Sequence, residues 1–298
     1  MPYADSDGTK IYYEETGEGY PIIFVHEFGA DLRAWEYQVR SLSREYRCIR
    51  YNARGYPPSD VPRDDAAYGY RHATDDILAV LRALGIARAH VVGLSMGGYA
   101  TLHFGLRYPE HASALVVAGC GSGAPYAHRE AFKHESIQFA AELLAHGTAG
   151  LAKQVGSSPT RIQLKGKSPL AWHEFVRQFS EHSSEGSAYT LRNFQALRPS
   201  VFDFERELAA CRIPTLLVVG DEDEPAIDTN LFLKRTMASS SLWMVPSTGH
   251  AVNLEEPERF NAVVHEFLSR VDRGVWRERD PRTRSDARLG LSADNDSL

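Results

Sequence analysis

Short, largely apolar runs alternate with longer amphipathic ones along most of this chain. Residues 21–25, 89–92 and 114–118 are rich in β-branched and aliphatic side chains and read as buried strands, and residues 47–51 and 214–219 read as further strands. Residues 9–15, ahead of the Gly17-Glu18-Gly19 turn, and residues 241–246 read as the first and last strands. Between them the apolar positions recur with helical spacing. Residues 32–46 carry Leu32, Trp35, Val39 and Leu42 on one face, and residues 74–84 carry Ile77, Leu78, Leu81 and Leu84, with Asp75 and Asp76 in the first turn and Gly85 past the end. Residues 99–108 read as another helix, and residues 257–271 close the pattern through Phe260, Val263, Val264, Phe267 and Leu268. Apolar strands separated by amphipathic helices predict an α/β protein with a mostly parallel, doubly wound sheet.

The rhythm stops at Gly119. From 122 to 210 there is no strand-like run, only helical pieces at 131–146, 170–182 and 189–197 joined by Gly, Ser and Pro clusters. The expected organisation is therefore a core over 1–121 and 211–272, interrupted by a helical insertion over 122–210. Residues 273–298 mix Arg and Asp with few apolar side chains, so that tail is expected to be mobile or to dock through Val275 and Trp276 only.

Composition narrows the function. With 298 residues, 43% of them hydrophobic, the chain can bury a large core. A formal net charge of −6 and the lack of a basic stripe argue against a nucleic-acid partner. No leader-like segment and no apolar run of membrane-spanning length stand out, so the expected setting is cytoplasmic, without membrane contact. Cys48, Cys120 and Cys211 each lie in or beside an apolar run, which suits reduced core thiols better than a disulfide framework. A homodimer is compatible with the sequence.

The candidate chemistry sits where the strand at 89–92 meets the helix at 99–108. Gly93-Leu94-Ser95-Met96-Gly97 turns a strand at once into a helix, which leaves no room for side chains two residues either side of Ser95. A serine raised on such a turn faces a helix N-terminus, which favours the negative charge that develops when a hydroxyl attacks a carbonyl. With this strand–elbow–helix, the chain resembles the α/β-hydrolase superfamily, in its serine-nucleophile branch with a helical cap. The resemblance implies an eight-stranded sheet, with the insertion as a cap that shapes the substrate pocket.

It also assigns the partners. Gly220-Asp221-Glu222-Asp223 matches the family's acid motif and selects Asp223, leaving Asp221 a structural role, and His250 in Ser247-Thr248-Gly249-His250 matches the family's histidine. Ser95, Asp223 and His250 follow the order nucleophile, acid, base. The family's oxyanion-hole donors fall on the backbone N–H groups of Phe28 and Met96. The His26-Glu27-Phe28-Gly29 loop departs from the family pattern at Glu27, where glycine is usual. Glu27 either places a carboxylate near the oxyanion hole, disfavouring anionic substrates, or points away into solvent; with His26 it is a candidate for the substrate pocket. Asn52-Ala53-Arg54-Gly55 and Ser59 match a family loop in part, and Arg54 reads as a structural ion-pair residue.

No cofactor is expected. Metal catalysis is not expected either, because each His-Glu pair lacks a second histidine at the spacing a zinc helix needs. The expected activity is hydrolysis of a small, largely apolar ester or lactone through an acyl-enzyme. Two alternatives remain. One is carbon–carbon hydrolysis of a vinylogous diketo acid, with Arg192 or Arg198 as the carboxylate receptor. The other is a small-ligand receptor that does not turn over.

Overall fold

Eight strands build one sheet in the order β1-β2-β4-β3-β5-β6-β7-β8. They are β1 (Tyr3–Ser6), β2 (Thr9–Thr16), β3 (Tyr20–Val25), β4 (Tyr46–Tyr51), β5 (Ala89–Leu94), β6 (Ala112–Ala118), β7 (Thr215–Gly220) and β8 (Ser240–Val245). The β1–β2 and β2–β4 pairs are antiparallel and the five pairs from β4 to β8 are parallel. This computed structural model describes residues 2–284. The tail expected to be mobile therefore falls largely outside the described residues. Its described start does dock: the Trp276 ring meets Phe267 edge-on at 4.8 Å and its indole N–H donates to the Ser239 carbonyl, whereas Val275 stays exposed.

The helices of the core are α1 (Glu36–Leu42), α2 (Tyr70–Ala83), α3 (Met96–Arg107), and, after the insertion, α9 (Glu224–Thr236), α10 (Val252–Glu255) and α11 (Pro257–Asp272). Alternation along each strand sends its neighbours to opposite faces. Ile23, Val25, Val91 and Val117 pack with Ile77 and Leu81 of α2 and Phe104 of α3. Ile22, Phe24, Val92 and Val116 pack on the other face with Trp35, Val39 of α1 and Phe260 and Val264 of α11. Both faces are thus covered, as wholly apolar parallel strands require.

In the core, two helices differ most from the sequence reading. The stretch at 32–46 divides into a 3₁₀ turn, Leu32–Trp35, and α1, which ends at Leu42 because Tyr46 already belongs to β4; its four expected apolar positions are all buried. Helix α2 starts at Tyr70 rather than at 74. Asp75 and Asp76 consequently lie in its second turn and cap nothing. Asp76 is instead fully buried against Arg54, with Arg54 Nη2 2.5 Å from Oδ1 and Nε 2.9 Å from Oδ2, while the guanidinium also reaches the Ala67 carbonyl and Ser6 Oγ. Arg54 is the structural ion-pair residue that the loop pattern suggests.

Between β6 and β7 the chain runs through α4 (Tyr126–Gly156), α5 (Ile162–Lys167), α6 (Pro169–Ser180), α7 (Ser184–Tyr189), a π-helical turn at Thr190–Gln195 and α8 (Glu205–Ala210). Helix α4 is longer than expected and breaks at Gly147, whose φ of 72° only glycine adopts without strain. Two apolar clusters tie these helices together and to the core. Leu143, Phe179 and Leu191 form one; Leu164, Ala171 and Phe175 form the other, with Ala251 and Leu254 from the loop after β8. Among the described residues no helix is long and apolar enough to cross a membrane.

That loop is held by its own carboxylate. Glu255, at the end of α10, accepts the Gly249 N–H at 2.7 Å and the Ala251 N–H at 3.0 Å, one on each side of His250.

Two stability effects follow. Asp76→Asn leaves a buried guanidinium without its counter-charge and should cost about 3–5 kcal/mol in urea unfolding, far more than a surface pair. Glu255→Ala strands two buried N–H groups and should cost about 2–5 kcal/mol; a loss under 1 kcal/mol in the same titration would show that water takes over the clamp.

Candidate active site

Ser95 is the single residue between β5 and α3, and it holds φ 56° and ψ −112°. A non-glycine residue at positive φ carries roughly 1–3 kcal/mol of strain, so the surroundings must impose it. They do so by close backbone approach. A β-carbon on Gly97 would stand 2.1 Å from the Val25 carbonyl oxygen, and one on Gly93 would stand 2.2 Å from the Gly97 carbonyl oxygen. The Ser95 N–H donates to the Ala118 carbonyl of β6 at 2.8 Å, and its carbonyl accepts the Tyr99 N–H of α3 at 2.8 Å. The side chain is half-buried at the head of α3. Met96, the first residue of that helix, carries one of the N–H groups that a helix start leaves without an intrahelical partner.

Asp223 and His250 are delivered to the same edge by the ends of β7 and β8. His250 Nδ1 lies 2.8 Å from Asp223 Oδ2, and both side chains are buried. Asp221 faces elsewhere and accepts the Thr248 N–H at 3.0 Å, so it shapes the loop that carries the histidine. Burial alone would lower the His250 pKa. The charge and hydrogen bond of Asp223, with a further contribution from Glu27, outweigh that and raise it above the ordinary imidazole value. Gly119 joins this pair to the elbow strand: a β-carbon there would lie 3.3 Å from Leu94 Cδ1 and 3.4 Å from His250 Cε1.

The loop after β3 bears on two sequence expectations. His26 lines a cavity together with Tyr56, Met96 and Phe194, with both ring nitrogens engaged by backbone. Its Nε2 accepts the Ala53 N–H at 3.0 Å, which fixes the proton on Nδ1, and Nδ1 donates to the Glu27 carbonyl at 2.8 Å. Burial lowers its pKa to about 4, and the neutral ring acts as a peg between two loops. The reading of Glu27 as a solvated residue fails. It is 2% exposed, and its Oε2 accepts from Arg161 Nη2 at 2.6 Å and stands 3.7 Å from His250 Nε2. Phe28 comes next and packs between the core and the helices that follow β6.

Arg161 escaped the sequence reading. It sits just before α5, is 4% exposed, lays its guanidinium over the Phe175 ring at 4.3 Å and donates from Nη1 to the Thr160 carbonyl. Nothing in the local pattern separates it from the other arginines, since its partner lies 134 residues away. Arg192 and Arg198 are occupied elsewhere. Arg192 pairs with Asp65 at the surface, whereas Arg198 is buried over the Tyr99 ring, donates to the Ser122 carbonyl, and has its basicity lowered by that burial. Among the described residues no three His, Cys, Asp or Glu side chains converge as a metal-ligand set.

A half-buried serine at a helix N-terminus, on the same sheet edge as an imidazole backed by a buried carboxylate, has the parts for nucleophilic attack on a carbonyl. Known proteins carry the same framework. Residues 20–257 match the family model described as the alpha/beta hydrolase fold. An AB hydrolase superfamily protein of Bacillus subtilis, YisY, is 30% identical, over 86% of this chain and 94% of that one. A 3-oxoadipate enol-lactonase of Acinetobacter baylyi is 26% identical over 84% and 89%, and a 2-hydroxy-6-oxo-6-phenylhexa-2,4-dienoate hydrolase of Comamonas testosteroni is 28% identical over 87% and 91%. Among solved structures, a thermophilic esterase from Thermogutta terrifontis superposes with a TM-score of 0.79 at 25% identity, covering 91% of this chain and 97% of its own. With its family model matched over most of its length and its sheet in that fold's order, this chain belongs to the α/β-hydrolase family and is a hydrolase.

Proposed function

We propose that Ser95, His250 and Asp223 form a catalytic triad that hydrolyses a small, largely apolar carboxylic ester or lactone. The observation that carries this reading is the buried 2.8 Å contact between His250 and Asp223 at the sheet edge where the strained Ser95 is raised. His250 Nε2 takes the Ser95 proton as Oγ attacks the carbonyl carbon. Asp223 holds the imidazole with its proton on Nδ1 and stabilises the ring once both nitrogens are protonated. The tetrahedral oxyanion is received by the N–H groups of Phe28 and Met96, each worth roughly 3–4 kcal/mol in the transition state. His250 then returns its proton to the leaving alkoxide, and the acyl-enzyme forms. Water attacks that ester with the same histidine as base and releases the acid.

The helical segment between β6 and β7 serves as the cap in this reading, since Arg161, Phe175 and Phe179 bring it over the loop that holds Glu27 and Gly29. The similarity to an enol-lactonase and to an esterase supports the ester or lactone class. The similarity to a dienoate hydrolase keeps carbon–carbon cleavage as the second reading. Against it, Arg192 and Arg198 are both engaged away from Glu27 and His250. A reducing, cytoplasmic setting fits three buried, unpaired cysteines, two of which, Cys48 and Cys120, have thiols that burial pushes up to about 12.

Steady turnover of p-nitrophenyl acetate and butyrate, lowered about 10⁴-fold or more by Ser95→Ala, is the expected result. Cleavage of a phenyl-substituted dienoate with the esters ignored would move the assignment to the second reading, and activity undiminished in Ser95→Ala would remove the triad. The raised His250 pKa has a direct test as well. Its ring protons, followed by NMR, should titrate above the model-peptide value of 6.5, and Asp223→Asn should bring the midpoint down. Because the protonated ring cannot accept the serine proton, kcat/KM should fall as pH drops through that midpoint.

A further inference from the structure

The triad and the Glu255 clamp on the His250 loop leave one ion pair at the reacting centre unaccounted for. It is the Glu27–Arg161 pair, which has three unusual features. Both partners are at least 96% buried, one comes from the loop after β3 and the other from the helical insertion, and Glu27 Oε2 lies 3.7 Å from the histidine nitrogen that must face the nucleophile. The pair is also incompletely satisfied. Glu27 Oε1 and Arg161 Nε are buried without a hydrogen-bond partner, although a two-pronged arginine–carboxylate contact would have used both. A buried pair that serves only to fasten two elements gains by closing both prongs, as Arg54 and Asp76 do in the same molecule.

We propose that Glu27 and Arg161 are the specificity-determining charges of this site: Glu27 neutralises an arginine that would otherwise receive a substrate carboxylate, and so restricts the site to neutral acyl groups. This deepens the ester and lactone reading and rests on His250 marking the reacting centre. With the imidazole neutral, Asp223 and Glu27 against Arg161 leave one net negative charge around the ring, with the Glu255 carboxylate behind the loop as a constant background. A carboxylate-bearing substrate meets that charge in a dry site, where like charges are weakly screened. Remove the Glu27 charge and that excess is gone, with a guanidinium held rigidly over Phe175 and no hydrogen-bonded carboxylate partner. A neutral ester is indifferent to the exchange.

The test uses binding, so that it does not depend on turnover. Full-length Ser95→Ala protein is titrated calorimetrically with benzoate and with benzamide, its neutral counterpart, alone and with Glu27→Gln added. Benzoate should bind at least tenfold more tightly when Glu27→Gln is present, while benzamide changes less than about threefold. Adding Arg161→Met should abolish the gain. Glu27→Gly, which carries the residue usual in the related loops, repeats the comparison should the glutamine variant fold poorly. The proposal is overturned if benzoate shows no gain, if both ligands gain alike, or if the gain survives without Arg161. Failure of ester turnover in the unmodified enzyme would instead count against the ester reading and leave this comparison standing.

Discussion

The fold is arranged around a crossing of backbones that has no space for a β-carbon. Strand β5 must become helix α3 within one residue, and the first turn of that helix presses on β3 and β6 so closely that Gly97 meets the Val25 carbonyl and Gly98 meets the Ala118 carbonyl. That crowding forces Ser95 into positive φ and aims its side chain out of the sheet edge. Parallel pairing then does the rest, because the ends of β3, β5, β6, β7 and β8 all finish at one edge. Residues far apart in sequence, such as Glu27, Ser95, Asp223 and His250, converge there for a topological reason, before any side chain attracts another.

The helices inserted after β6 are fastened to this edge by polar contacts as well as apolar ones. His182 reaches Asp31 at 3.1 Å, and the hydrogen bonds from Arg33 and His182 hold the Asp31 carboxyl well below its usual range against the opposing effect of burial. Gly186 lies so near Gly55 that a β-carbon on it would fall 1.9 Å from the Gly55 carbonyl oxygen. Such contacts fix where the insertion sits over the loops after β3 and β4. Movement of the insertion would therefore disturb the Glu27 loop directly, since Arg161 and Glu27 bridge the same seam.

Much of this was legible in the residues, for physical reasons that differ from part to part. Strands such as 21–25 and 114–118 announce themselves because burial on both faces demands a continuous apolar run. The elbow is legible because its glycines are steric necessities, and the acid and histidine because strand ends in this fold carry their chemistry at fixed places. Boundaries were less legible. The start of α2 at Tyr70 is set by the chain leaving Gly69 at φ 154°, and of the acids read as a first-turn signal Asp76 is held by Arg54 and Asp75 by Tyr108 and Arg107. His26 lines a cavity, but no local pattern announces that both its ring nitrogens are bonded to backbone. Arg161 carries no local signature at all, because its role depends on a partner brought near only by the closed fold.

The same pairing resolves an apparent conflict at the site. In the proposed mechanism the Glu27 carboxylate, 3.7 Å from His250 Nε2, opposes the negative charge that develops on the carbonyl oxygen, and at short range in a dry site that opposition is strong. The Arg161 guanidinium, 2.6 Å from Glu27, supplies the compensating charge, and it does so from the insertion rather than from the core. The pull on His250 divides in the same way: Asp223 and Glu27 raise its pKa while Arg161 lowers it. In the proposed mechanism the helical insertion therefore supplies, through Arg161, part of the charge balance at this edge of the sheet as well as its cover.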